Sequence, residues 1–224
     1  MYGPAETAPI EEGYPLYRDP DASPYARDKI LCEGMLTEAF EGRNFPVSIL
    51  RPTFVYGPDN YNRRREFSYF ARLLAGRKII IPGTGRNLMH AVHVDDLVKA
   101  FIATPTLEAT LGQAYNVGGP EAITLDAWID AIGAAAGLTP RVVHATPTQY
   151  GALSAEARTF PYPWDRDVVY TIEKARRDMQ WSPRYHMEDG LKMTFTWWKA
   201  RGLDREAWDF SAEDEALQTL DGPS

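Results

Sequence analysis

The chain has 224 residues, 44% of them hydrophobic and 25% charged, enough for one large domain or two small lobes around a real core. Those proportions exclude a disordered tail, a collagen-like repeat and a disulfide mini-protein. Lysine plus arginine is 24 against 31 aspartates and glutamates, a net charge of −7, so phosphate backbones and anionic lipid exert no global pull and an RNA partner would need a local basic patch.

Residues 1–22 read as a loop, with Pro4, Pro9, Pro15 and Pro20 and no periodicity. Ser23-Pro24 is a helix start: the serine can cap, and the proline stands where a missing N–H costs nothing. The helix is expected from Tyr25 to about Phe40. Ile30, Leu31, Met35, Leu36, Ala39 and Phe40 form its apolar stripe, and Gly42 its stop. PVSILRPTFVYGP follows as one buried strand ended by Tyr56-Gly57-Pro58. Residues 66–76 read as a helix, RKIIIPG as a strand and Asp95 to Pro105 as a helix capped by Asp95 and Asp96. QAYNVGG reads as a strand, and Thr124 caps a helix through Ala136. The mixed segment 140–170 holds RVVH as a strand and TFPYPW as a loop. Two helices follow, at about 172–180 and 187–201, and Leu191, Phe195, Trp197 and Trp198 give the second its core face. An acidic tail closes the chain, anchored by Trp208 and Phe210. Strands alternating with helices predict an α/β fold with a largely parallel sheet.

The single Cys32 cannot form an internal disulfide, which suits a reducing compartment. No apolar run is long enough to span a bilayer, and the acidic, proline-studded start is not a signal peptide, so the expected location is the cytoplasm. The first 40 residues supply no strand, and no G-x-G-x-x-G or G-x-x-G-x-x-G occurs anywhere. The chain reads as the back half of a larger α/β unit.

The informative chemistry is Tyr25-Ala-Arg-Asp-Lys29. Four residues apart on a helix, a phenol and an ammonium share a face. A neighbouring cation favours phenolate and brings a tyrosine down from its usual pKa of about 10. That is what a phenol needs to exchange a proton with a sugar hydroxyl. The bare spacing also fits an ordinary amphipathic surface helix.

The order YGP, SPYxxxK, ILRPxxVYGP, PGTG, HVDDL, YNVGG and QWSP resembles the extended short-chain dehydrogenase/reductases, the NAD-dependent epimerase/dehydratases, from Tyr2 to about Pro183. The resemblance implies the C-terminal part of a Rossmann-type, doubly wound parallel sheet plus a smaller α/β substrate-binding lobe. It divides the chain into 1–58 with 90–120 for the first and 59–89 with 121–224 for the second. It makes Tyr25 the catalytic acid/base and Lys29 the residue that binds the nicotinamide ribose and tunes the tyrosine. Pro52 and Thr53 would pass the nicotinamide of NAD or NADP. Tyr2-Gly3 matches the segment just after the family's catalytic serine or threonine. The resemblance therefore places that hydroxyl, the glycine loop and the adenine-ribose acid outside this chain, in an N-terminally longer protein. The chain alone is expected to bind the cofactor poorly.

The substrate side departs from the pattern. Met89 stands where an arginine clamps the substrate diphosphate, and Phe54 where many members carry a substrate-facing asparagine. Asn60 of the VYGPDN turn, Arg63, Arg64 and Arg65 after it, Arg86 and Arg166 are the candidates for the substrate side; Arg63–Arg65 fit a solvated helix entrance as well. The stretches PGTGRNLMHAVHVDDL, VYTIEKARRDMQW and GLDREAWDFSAEDEAL resemble the chloroplast stem-loop RNA-binding branch of atypical short-chain dehydrogenases. His90 and His93 lack a third ligand for a metal, and His144 and His186 stand alone. The expected function is NAD(P)-linked epimerisation or dehydration of a nucleotide sugar or related polyol. The alternatives are a non-catalytic RNA-binding or scaffolding relative and a fragment without activity. A homodimer is expected through the helix that starts at Tyr25, whose apolar positions outnumber those one contact needs.

Overall fold

The computed structural model describes residue 2, residues 8–17 and residues 23–220. Gly3, Pro4 and Pro20 lie outside the described residues. The helices are α1 (Pro24–Arg43), α2 (Glu66–Leu74), α3 (Val94–Ala103), α4 (Leu125–Ala136), α5 (Pro147–Ala152), α6 (Glu173–Met179), α7 (Met187–Ala200) and α8 (Ser211–Leu220). The strands are β1 (Ile49–Pro52), β2 (Phe54–Tyr56), β3 (Ile79–Pro82), β4 (Leu88–His93), β5 (Ala114–Val117), β6 (Ala122–Thr124) and β7 (Val142–Ala145).

Three strand pairs are parallel: β1 with β5, β2 with β4, and β3 with β7. β6 joins β4 antiparallel. The apolar run read as one strand is thus two, because the chain changes sheet partner at Thr53, whose N–H still reaches the Val117 carbonyl at 2.9 Å. Parallel strands with helical crossovers bury both faces, and three apolar clusters result. The largest packs Phe70 of α2, Trp128 and Ile129 of α4, and Leu191 and Trp198 of α7 against β3 and β4. A second joins Val92, Tyr115 and Val117 to Leu97, Ala175 and Trp181. The third lies under α8, with Ile80, Tyr150, Ala216 and Leu217.

The predicted caps hold at α1 and α4: Ser23 Oγ accepts from the Ala26 N–H and Thr124 Oγ1 from the Ala127 N–H. Two helix ends differ from expectation. α1 runs through Gly42 and stops at Asn44, which takes the left-handed conformation that asparagine tolerates. α3 is capped by His93, whose Nδ1 accepts from the Asp95 N–H at 3.2 Å, while Asp96 is wholly buried and receives the Arg184 and Tyr185 N–H groups.

The apolar stripe expected on α1 is only partly covered within this chain. Leu31 and Met35 are 64% and 69% exposed, Ile30, Ala39 and Phe40 are half-buried, and the only buried residue of the helix is Glu33. Phe40 is held over Gly112, where φ is +71° and a β-carbon would overlap the ring. Trp208 and Phe210 do anchor the tail, beneath the guanidinium groups of Arg63 and of Arg72 and Arg77. Among the described residues no helix is long and apolar enough to cross a membrane.

Candidate functional site

Tyr25 and Lys29 project from the first two turns of α1. The Lys29 ammonium lies 5.6 Å from the centre of the Tyr25 ring, which is 70% exposed. The structure therefore brings together the two residues that spacing alone had placed on one face. Glu33, four residues further, continues the same face inward and meets Arg51 of β1.

Thr53 sits where the chain passes from β1 to β2. It is 8% exposed, and its Oγ1 has no hydrogen-bond partner. A buried hydroxyl without a partner costs free energy unless something binds there. Pro52 beside it is exposed.

The turn after β2 is built around a carboxylate. Gly57 has φ +130° and sits so close to His93 and Val94 that a β-carbon would overlap them. Glu66, fully buried at the start of α2, accepts from the Gly57 N–H at 2.9 Å and from Asn60 Nδ2 at 3.1 and 3.2 Å. Asn60 is thus spent inside the protein. Burial raises the Glu66 pKa above 4.5, although these donors pull it down. A carboxyl whose pKa is higher folded than unfolded loses stability as pH rises from about 4.5 through its folded value. Glu66→Gln removes that loss. We expect its unfolding free energy in urea, relative to wild type, to rise between pH 4 and pH 7.5 by about 1.4 kcal/mol for each unit of raised pKa. A variant weaker than wild type by the same amount at both pH values would refute the assignment.

The expected substrate-side cations are distributed differently. Arg63 pairs with Glu206 and covers Trp208, and Arg65 donates to the Val55 carbonyl at 2.7 Å. Arg64 and Arg86 are exposed, and Arg166 pairs with its neighbour Asp165 at 3.1 Å. Met89 is 1% exposed in the core of β4. Phe54 packs edge-to-face on Tyr162, which meets Trp128 in the same way. Beyond Tyr162 lies an open surface groove lined by Tyr150, Phe160, Trp164 and Arg158, with Arg166 and its partner Asp165 at its edge.

The four histidines are all engaged. His90 Nδ1 accepts from the Tyr170 N–H, so Nε2–H donates to the Gly119 carbonyl, and burial pulls its pKa down. His93 packs between the rings of Tyr56 and Tyr185. His144 and His186, read as isolated, pair with Asp126 and Glu121. Among the described residues no three histidines, cysteines or carboxylates cluster as metal ligands. Glu33, Arg51, Asn116 and Glu66 escaped sequence reasoning. Only Glu33 left a signal, as the third step of the four-residue spacing from Tyr25.

Parallel strand pairs with helical crossovers make this a Rossmann-like α/β protein. The chain belongs to the NAD dependent epimerase/dehydratase family, whose model matches residues 1–118 and so covers Tyr25, Lys29, Thr53 and the Glu66 turn. It is 31% identical over 169 residues to the chloroplast stem-loop binding protein of 41 kDa b of Arabidopsis thaliana, covering 75% of this chain and 44% of that one. It is 26% identical over 203 residues to the dTDP-D-glucose 4,6-dehydratase of Mus musculus, covering 89% and 53%. The chain thus spans about half the length of these curated relatives. Among solved structures, the fold matches dTDP-glucose 4,6-dehydratase from Bacillus anthracis in complex with NAD, with TM-score 0.72, 23% identity and coverage of 90% and 59%. It also matches UDP-glucuronic acid 4-epimerase from Bacillus cereus in complex with NAD, with TM-score 0.72, 21% identity and coverage of 89% and 58%.

Proposed function

We propose that this chain is the catalytic-helix and substrate-side part of an NAD(P)-dependent epimerase or dehydratase acting on a nucleotide sugar or related polyol. The observation that carries the reading is the Lys29 ammonium held over the exposed Tyr25 ring, in the section that matches the family model. A bound nicotinamide would supply the hydride acceptor. Tyr25 would take the proton of the sugar hydroxyl and later return it, and Lys29, placed over its ring, would hold the ribose. Thr53, with its unpaired hydroxyl, serves the nicotinamide end. The open groove beside Trp164 and Arg166 is offered to the nucleotide of the substrate. The pyrophosphate of the cofactor relies on a glycine-rich turn at a helix N-terminus, a motif absent from this sequence, so turnover is assigned to a longer protein containing it.

The test follows sugar products, and transient absorbance at 340 nm within a single turnover, with NAD and NADP and a panel of dTDP- and UDP-hexoses. An epimerised or dehydrated sugar formed with transient reduction of either cofactor supports the reading. The likeness to the Arabidopsis stem-loop binding protein supplies the rival. Submicromolar binding of a structured RNA at physiological salt, weakening by roughly 0.7 log unit per log unit of salt for each neutralised phosphate on single strands, without cofactor reduction would replace it.

A further inference from the structure

Helix α1 is docked in an uncommon way. A surface helix ordinarily docks by an apolar stripe, but here the only buried side chain is a carboxylate. Glu33 lies against Arg51, with Nε donating to Oε2 at 3.1 Å and Nη2 to Oε1. The remaining Arg51 nitrogen donates to the Tyr2 hydroxyl at 2.7 Å and the Glu12 carbonyl at 2.8 Å. The Tyr2 hydroxyl in turn donates to Asn116 Oδ1 at 2.7 Å, and Asn116 is the register partner of Arg51 across β1 and β5. Asn116 is itself fixed, its Nδ2 donating to the Ile10 carbonyl and its N–H to Glu12 Oε1. Arg51 is therefore fully committed, in a fork geometry that only a guanidinium provides.

Tyr25, Lys29 and Glu33 stand at successive four-residue steps, so Lys29 is within one turn of either neighbour. Its ammonium could lie over the Tyr25 ring or turn inward to the Glu33 carboxylate. It lies over the ring. We propose that Arg51 is a positioning residue: by occupying both oxygens of Glu33 it removes the competing anion, leaving Lys29 to Tyr25, and it fixes the rotation of α1 against β1. The proposal rests on the reading of Tyr25 and Lys29 as the working pair, but its test does not need turnover.

The test is carried out on the 224-residue chain with selectively labelled tyrosine and lysine. In wild type, nuclear Overhauser contacts join the Lys29 ε-methylene to the Tyr25 ring. Arg51→Met frees the carboxylate, and those contacts are expected to be lost. In Arg51→Met/Glu33→Gln no competing charge remains, and they are expected to return. A merely structural role predicts the reverse order, with the double variant the more disturbed. Should Arg51→Met fail to fold, Arg51→Gln and Arg51→Gln/Glu33→Gln replace it, since glutamine keeps a hydrogen-bond donor and carries no charge. Contacts that persist in the single variants, or that the Glu33→Gln change fails to restore, overturn the proposal. Absence of turnover with the predicted contacts intact would instead count against the catalytic reading alone.

Discussion

Replacing Tyr25 by phenylalanine in the protein that carries the whole cofactor site is expected to lower turnover by roughly 10²–10⁴-fold, the usual contribution of a positioned acid/base. Cofactor affinity should barely change, because the ring remains and only the hydroxyl is gone. Lys29→Met should damage both quantities, since the ammonium is assigned a ribose contact as well as its place over the Tyr25 ring. The two variants together separate proton transfer from binding. Steady-state rates of sugar-product formation and calorimetric cofactor titrations measure the two effects. Wild-type turnover in Tyr25→Phe would leave the pair as a feature of an exposed helix face and nothing more.

Much of this geometry was legible because it is local. A serine followed by proline starts a helix, threonine caps one, and a four-residue spacing puts two side chains on one face; each of these depends on neighbours in sequence. What escaped depends on distant partners. The run around Ile49 to Tyr56 reads as one strand, since nothing in it reveals that β1 pairs with β5 while β2 pairs with β4. The apolar positions of α1 imply a packing face, yet the buried contact is an ion pair with Arg51, eighteen residues away. Asn60, read as a substrate-side candidate, donates to Glu66, a partner that only the folded turn supplies. Short elements such as β6 and α5 carry too few residues for periodicity to show. The departures at Phe54 and Met89 were visible as residue types, whereas their consequence, an aromatic contact with Tyr162 and a core position in β4, was not.

The largest stability effect is expected at Arg72, a 2% exposed guanidinium in the middle of α2. Its Nε donates to the Lys78 carbonyl at 2.6 Å and its Nη2 to Asp214 at 2.9 Å. Nη1 lies 3.4 Å from Glu213, and the guanidinium plane covers Phe210 at 5.3 Å. Burial pulls the Arg72 pKa down and Glu213 raises it again, but an arginine stays charged throughout. The residue thus joins α2, the strand entry at Lys78 and the whole C-terminal helix. Removing one partner of a buried ion pair costs about 3–5 kcal/mol when the other is left fully buried. Here the two carboxylates are partly solvated, and Asp214 keeps Arg77, so Arg72→Met should cost about 2–3 kcal/mol, a fall in Tm of about 5–10 °C for a chain of this size. Arg77→Met removes a half-exposed partner of the same Asp214 and should cost less than about 1 kcal/mol. Hydrogen exchange adds a local readout: amides of α8 should lose protection in Arg72→Met while those of α4 lose far less. Equal Tm losses in the two variants would show that α8 is held by its apolar contacts with Tyr150 and Ile80 rather than by the buried guanidinium.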